Sequence, residues 1–152
     1  MPSSAWEQPR DGGNDTSITR FRVLGRILAL GSLISWMGVI FYLSSLSNES
    51  VPTIFPWLGG LRQIVGHFGL YAVLGSLSLV TFLAWTDNPQ HRALAVTVAI
   101  FFGFAYGALD EFHQSFVPGR SPSFLDLFIN SVGVLTGVIG IRERSRWTFL
   151  PI

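Results

Sequence analysis

Residues 110–137 read DEFHQSFVPGRSPSFLDLFINSVGVLTG, and most side chains able to do chemistry are gathered there. On a continuous helix Asp110 and His113 lie a turn apart on one face, as do Glu111 and Gln114. Carboxylates and an imidazole in that spacing can move a proton or hold a donor-bearing ligand. Arg120 adds a planar fork that grips a carboxylate or a phosphate bidentately. The surrounding residues are apolar, and charges at the edge of an apolar segment either pair with one another or serve a ligand.

Each group also has a plainer reading. Asp110 and Glu111 are adjacent acids at the end of an apolar run, where a helix dipole disfavours negative charge; either a cation or ligand answers them, or they are solvated among headgroups. Val117-Pro118-Gly119-Arg120 fits a type II turn that carries Arg120 back toward the acids. There it either closes a structural salt bridge or meets a ligand. Ser123-Phe124-Leu125-Asp126 is a capping-box pattern, so capping alone could account for Asp126. Asn130 lies one turn deeper on the same face, as a pocket residue or as interhelical hydrogen-bonding glue. His67 and Tyr71 stand at i and i+4 on an earlier apolar run, and the histidine either satisfies a neighbour or does acid–base work.

The elements that must position these groups follow from composition. Of 152 residues 49% are hydrophobic and 12% charged, which makes a bilayer the natural solvent. Residues 27–46, 64–85, 93–109 and 124–141 form four nearly uncharged runs, each about the length that crosses ~30 Å of hydrocarbon. The predicted fold class is therefore an all-α membrane protein of four transmembrane helices in two hairpins. Residues 1–19 read as a disordered cytoplasmic tail, 20–141 as the membrane domain and 142–152 as a short basic cytoplasmic tail. The turn-rich stretch 47–60 suits a segment at the interface, where Trp57 favours the headgroup level. Thr86-Asp87-Asn88-Pro89 marks the turn between the second and third runs.

Arginine placement predicts orientation. With the N-terminus cytoplasmic, Arg10, Arg20, Arg22, Arg26, Arg92, Arg142, Arg144 and Arg146 fall inside, leaving Arg62 and Arg120 outside. Both termini are then cytoplasmic in a multi-pass protein of the bacterial inner (plasma) membrane. His67, Asp110, Glu111, Asp126 and Asn130 come to one depth near the outer surface. The stripe Gly133, Gly137 and Gly140 allows close helix approach, and an oligomer through Gly133 and Gly137 is possible.

Several functions lose support. There is no cysteine, hence no disulfide or thiolate chemistry, and no lysine for a Schiff base. A metal held by His67, Asp110, Glu111, His113 and Asp126 has suitable residue types but no fixed-spacing signature, so no metal and no cofactor is expected. No nucleophile elbow or phosphate-cradling glycine loop occurs. The only basic cluster is the short Arg142, Arg144, Arg146 run that topology explains, so no nucleic acid partner is expected.

HFGLYAVLG at 67–75, DEFHQSFVPGR at 110–120 and the D-x-x-x-N-x-x-G spacing of Asp126, Asn130 and Gly133 together resemble the VanZ-like family of small bacterial membrane proteins. The resemblance runs from about Tyr42 to Gly137. It points to His67, Tyr71, Asp110, Glu111, Gln114, Pro118, Gly119, Arg120, Asp126, Asn130 and Gly133; His113 lies outside the fixed pattern. Many members carry an Asp-Lys pair just ahead of the HF, where this chain has Gln63 and Ile64, with Arg62 as the nearest cation. The resemblance implies a link to the cell envelope and, through the name-giving member, to resistance against lipid-bearing glycopeptides such as teicoplanin.

The expected function is an outward polar pocket of His67, Tyr71, Asp110, Glu111, Gln114, Arg120, Asp126 and Asn130. It would bind a membrane lipid, a lipid-linked envelope component or a lipophilic antibiotic, with Arg120 gripping an anionic group. Two alternatives are an outer-leaflet enzyme with His67 or Glu111 as general base, and a structural subunit in which these groups only lock helices together.

Overall fold

The computed structural model describes residues 12–47 and 61–148. The described residues are all helical apart from turns. Helix α1 spans Gly12–Ser44, α2 Leu61–Ala84, α3 Arg92–Gln114 and α4 Phe124–Thr148, with a 3-10 turn at Pro89–His91 ahead of α3. Each helix is long and apolar enough to cross a membrane. The reading of the interfacial stretch falls almost wholly on residues outside those described.

Two helices extend into the stretches read as tails. Residues 12–19, read as tail, form the start of α1, and residues 142–148 prolong α4. Once a helix is nucleated by its apolar body, each further residue adds a hydrogen bond at little entropic cost, so polar flanks continue it.

Large apolar side chains such as Phe21, Ile34, Phe101 and Phe128 point outward, as a lipid-facing surface requires. The inward core is small: Leu33 and Ile40 of α1, Tyr71, Leu74 and Leu79 of α2, Ala99 of α3, and Val134 and Val138 of α4. Because lipid is as apolar as these side chains, association must come from close packing and interhelical hydrogen bonds. Trp36 Nε1 donates to Leu70 O at 2.9 Å, Tyr106 OH to Met37 O at 2.7 Å, Thr81 Oγ1 to Ala29 O at 3.1 Å and Ser76 Oγ to Gly137 O at 3.2 Å.

The chain does run as two helical hairpins, but the most extensive contact joins α2 to α4, one helix from each. These two run parallel. Glycine makes the approach possible: a Cβ on Gly133 would stand 2.7 Å from Phe68 O, one on Gly137 would strike Ala72 O, and one on Gly75 would strike Val134 O. Gly133 and Gly137, offered above to an oligomer, are thus buried against α2 of the same chain. Gly140 meets nothing within 4 Å.

Two arginines cap helix C-termini at opposite ends of the bundle. Arg26 Nε donates to Ala84 O at the end of α2 at 2.9 Å, and its NH2 pairs with Asp87 at 2.6 Å. Arg120 does the equivalent for α1, donating to Leu43 O and Leu46 O. Both place a cation at the negative pole of a helix dipole.

Candidate functional site

The α2–α4 register sets the site. Gln63 and His67 are one turn apart on α2, and Asp126 and Asn130 are one turn apart on α4. Gln63 Nε2 donates to Asp126 Oδ2 at 2.8 Å, and His67 Nδ1 meets Asn130 Oδ1 at 3.0 Å. Both bonds span 63 positions, the mark of two parallel helices in register. An amide oxygen only accepts, so Nδ1 donates in this pair and Nε2 takes no part in it.

Helix α3 brings the acids. It continues through Gln114, so the DEFHQ residues occupy its last turns as the helical spacing predicts. Asp110 and Glu111 are each 6% exposed and Gln114 1%. Gln114 Nε2 donates to Asp110 Oδ2 at 3.2 Å and reaches Ser44 Oγ of α1 at 3.4 Å. Glu111 Oε2 accepts the backbone N–H of Ser123 at 2.9 Å. The capping box is therefore split. Ser123 Oγ accepts from Asp126 N–H at 3.3 Å, whereas the reciprocal bond to the Ser123 N–H comes from Glu111 on the preceding helix. Asp126 is released from that task and turns to Gln63.

The type II turn is present. Gly119 has φ +78° and Arg120 N–H bonds to Val117 O at 3.1 Å. It carries Arg120 to α1 rather than onto the acids. Nε donates to Leu46 O at 2.9 Å, NH2 to Leu43 O at 3.2 Å and NH1 to Gln114 Oε1 at 3.5 Å. Among the described residues no ion pair joins Arg120 to Asp110 or Glu111. The carbonyls at the end of α1 outcompete the carboxylates because they come as a geometrically matched set for a planar fork.

His113 is turned the other way. It stacks on Phe41 with ring centroids 4.5 Å apart and its Nε2 meets Ser45 Oγ at 3.0 Å, so it braces α1 and is no part of the cluster.

Tyr71 is fully buried, with its hydroxyl beside Asp110 but outside hydrogen-bonding geometry. Three cluster atoms are buried without a hydrogen-bond partner: Tyr71 OH, Glu111 Oε1 and Asn130 Nδ2. Buried polar groups are nearly always satisfied, so three such atoms close together set this cluster apart from the rest of the described bundle, where Ser78 Oγ is the other case. Alongside, an apolar groove of about 280 Å³ runs between α2 and α4, lined by Ile64, Val65, Phe68, Phe128, Ile129 and Val132.

Sequence reading missed Gln63, Ser44 and Gly107 as contributors. Gln63 stood out only as a departure from a family pattern, and Ser44 carried no signal at all; both matter through contacts with distant helices. Gly107 also helps, since its bare Cα leaves a Cβ-sized gap 3.4 Å from the Tyr71 ring and 3.5 Å from Asn130 Cβ.

Four apolar helices around one terminal polar cluster define a small multi-pass membrane protein with a potential site at a single bundle end. The chain belongs to the VanZ/LLP1 family, whose model matches residues 6–145. No curated protein and no solved structure matches it.

Proposed function

We propose that this protein binds an envelope lipid, seating the headgroup in the cluster of His67, Tyr71, Asp110, Glu111, Asp126 and Asn130 and an acyl chain in the adjoining α2–α4 groove. The observation that carries this is the set of three buried, unpartnered atoms. Tyr71 OH and Asn130 Nδ2 are donors for headgroup oxygens, and Glu111 Oε1 is an acceptor for a hydroxyl or ammonium. The groove lies at the level of His67 and Asn130, since Ile64 is one turn from Phe68 on α2 and Ile129 adjoins Asn130 on α4. A molecule with a polar head and an apolar tail matches both features at once.

Arginine asymmetry supports an outward cluster in the inner (plasma) membrane, with both termini cytoplasmic. The site then meets outer-leaflet lipid, lipid-linked envelope components and lipid-bearing glycopeptides, which ties the protein to envelope function or antibiotic resistance. Arg120 and Gln114 serve here by fixing the end of α1 over the cluster.

Native mass spectrometry of the gently purified protein tests the reading. Tyr71→Phe removes only the hydroxyl beside Asp110 and keeps the buried ring, so the fold should persist. The wild type should retain a lipid that the variant loses. Equal retention by both would remove the headgroup from the cluster. Adding teicoplanin in a second arm shows, by displacement of the lipid, whether the antibiotic shares the site.

A further inference from the structure

We propose that His67, Asp110 and Glu111 form a site for a divalent cation. Each offers one donor atom, and the three donors lie within 4.8 Å of one another. Ligands on a cation at about 2.1 Å stand at most about 4.2 Å apart, so a small rotation of one carboxylate closes the three-donor face.

The surroundings prepare each donor. Asn130 Oδ1 takes the His67 Nδ1 proton at 3.0 Å, which fixes the ring and presents Nε2, the way outer-sphere partners orient metal-bound imidazoles. Glu111 is held by Oε2 on the Ser123 N–H, while Oε1 is buried and unpartnered. That buried acceptor is an observation separate from the grouping of acids, and it points to a ligand. Asp110 is steadied at Oδ2 by Gln114 at 3.2 Å.

Charge argues the same way. Two buried carboxylates are costly without a counter-charge, and Arg120, the nearest guanidinium in the turn, is spent on α1 carbonyls and Gln114. A dication neutralises both. One imidazole nitrogen with two carboxylate oxygens suits Mn²⁺ or Zn²⁺. The site has no sequence signature because its ligands come from α2 and α3, joined only by tertiary contact. If the headgroup reading above holds, the cation deepens it: a headgroup phosphate would take the cation's open side and accept from Tyr71 OH and Asn130 Nδ2.

The test is elemental analysis of the full-length protein in detergent, stripped with chelator and re-equilibrated with Mn²⁺ or Zn²⁺. About one equivalent per chain should be retained, and His67→Gln and Glu111→Gln should each weaken binding by at least about tenfold. No bound metal in the wild type, or unchanged affinity in both folded variants, overturns the site. Should the variants fail to fold, Mn²⁺ must broaden the His67 ring signals in the NMR spectrum of the wild type, and an unbroadened ring overturns it equally. Lipid retained by metal-free protein that takes up no added metal removes the cation and leaves the headgroup reading standing. Metal bound without any retained lipid does the reverse.

Discussion

His67 of α2 and Asn130 of α4 are joined side chain to side chain at 3.0 Å, and both are buried. With the bond from Gln63 to Asp126 one turn earlier, it fixes the rotation of both helices at the end where the acids of α3 arrive.

Asn130→Ala removes the acceptor of His67 Nδ1. A buried donor left unsatisfied costs about 1–3 kcal/mol. The midpoint of thermal unfolding in detergent should fall accordingly, and the His67 ring should lose its single tautomer in ¹⁵N NMR. An unchanged tautomer would show that Asn130 does not set it.

Arg120→Ala should act on α1 rather than on the cluster. Its guanidinium holds Leu43 O and Leu46 O, and hydrogen bonds from a charged donor contribute about 1.5–3 kcal/mol. Faster amide hydrogen exchange around residues 43–47 is expected, with lipid retention largely kept. Loss of lipid without faster exchange there would instead assign Arg120 to the ligand.

Gly137→Leu places a branched side chain where even a Cβ would strike Ala72 O. Backbone cannot yield as a side-chain tip can, so α2 and α4 must separate at a cost of at least about 1–3 kcal/mol. Gly140→Leu meets open space and serves as the control, with a shift within about 0.5 kcal/mol. Equal unfolding midpoints for the two variants would refute the close packing.

Val65→Trp tests the groove. Val65 is 46% exposed and lines it, so an indole there fills the space without entering the core. Thermal stability should stay within about 0.5 kcal/mol of wild type, while lipid retained through native mass spectrometry drops. Undiminished retention would place the acyl chain elsewhere.

Asp87→Asn breaks the ion pair with Arg26 at the opposite end of the bundle. Asp87 is 74% exposed, and exposed pairs contribute about 0–1 kcal/mol. Neither stability nor lipid retention should change measurably, because Arg26 keeps its bond to Ala84 O.

The sequence by itself determined the solvent and the four spans, since uncharged runs of some twenty residues have few other stable environments. It also determined the Val117–Arg120 turn, because Pro and Gly dictate backbone angles locally, and it brought the DEFHQ residues to a helix end. Partner choice belonged to the tertiary structure. Arg120 had carboxylates and carbonyls both within reach of its turn, and only the packed position of α1 decided for the carbonyls. Asp126 fitted a local capping pattern, yet Glu111 supplied the reciprocal bond because α3 ends beside Ser123. His67 and His113 look alike along the chain, and only the helix rotations send one to Asn130 and the other to Phe41. The Gly133 and Gly137 stripe announced a close helix contact, but that it lies against α2 of the same chain follows from which two helices can approach most nearly. A side chain's type and its helical face are local properties, whereas the identity of what it touches depends on where every other helix has come to rest.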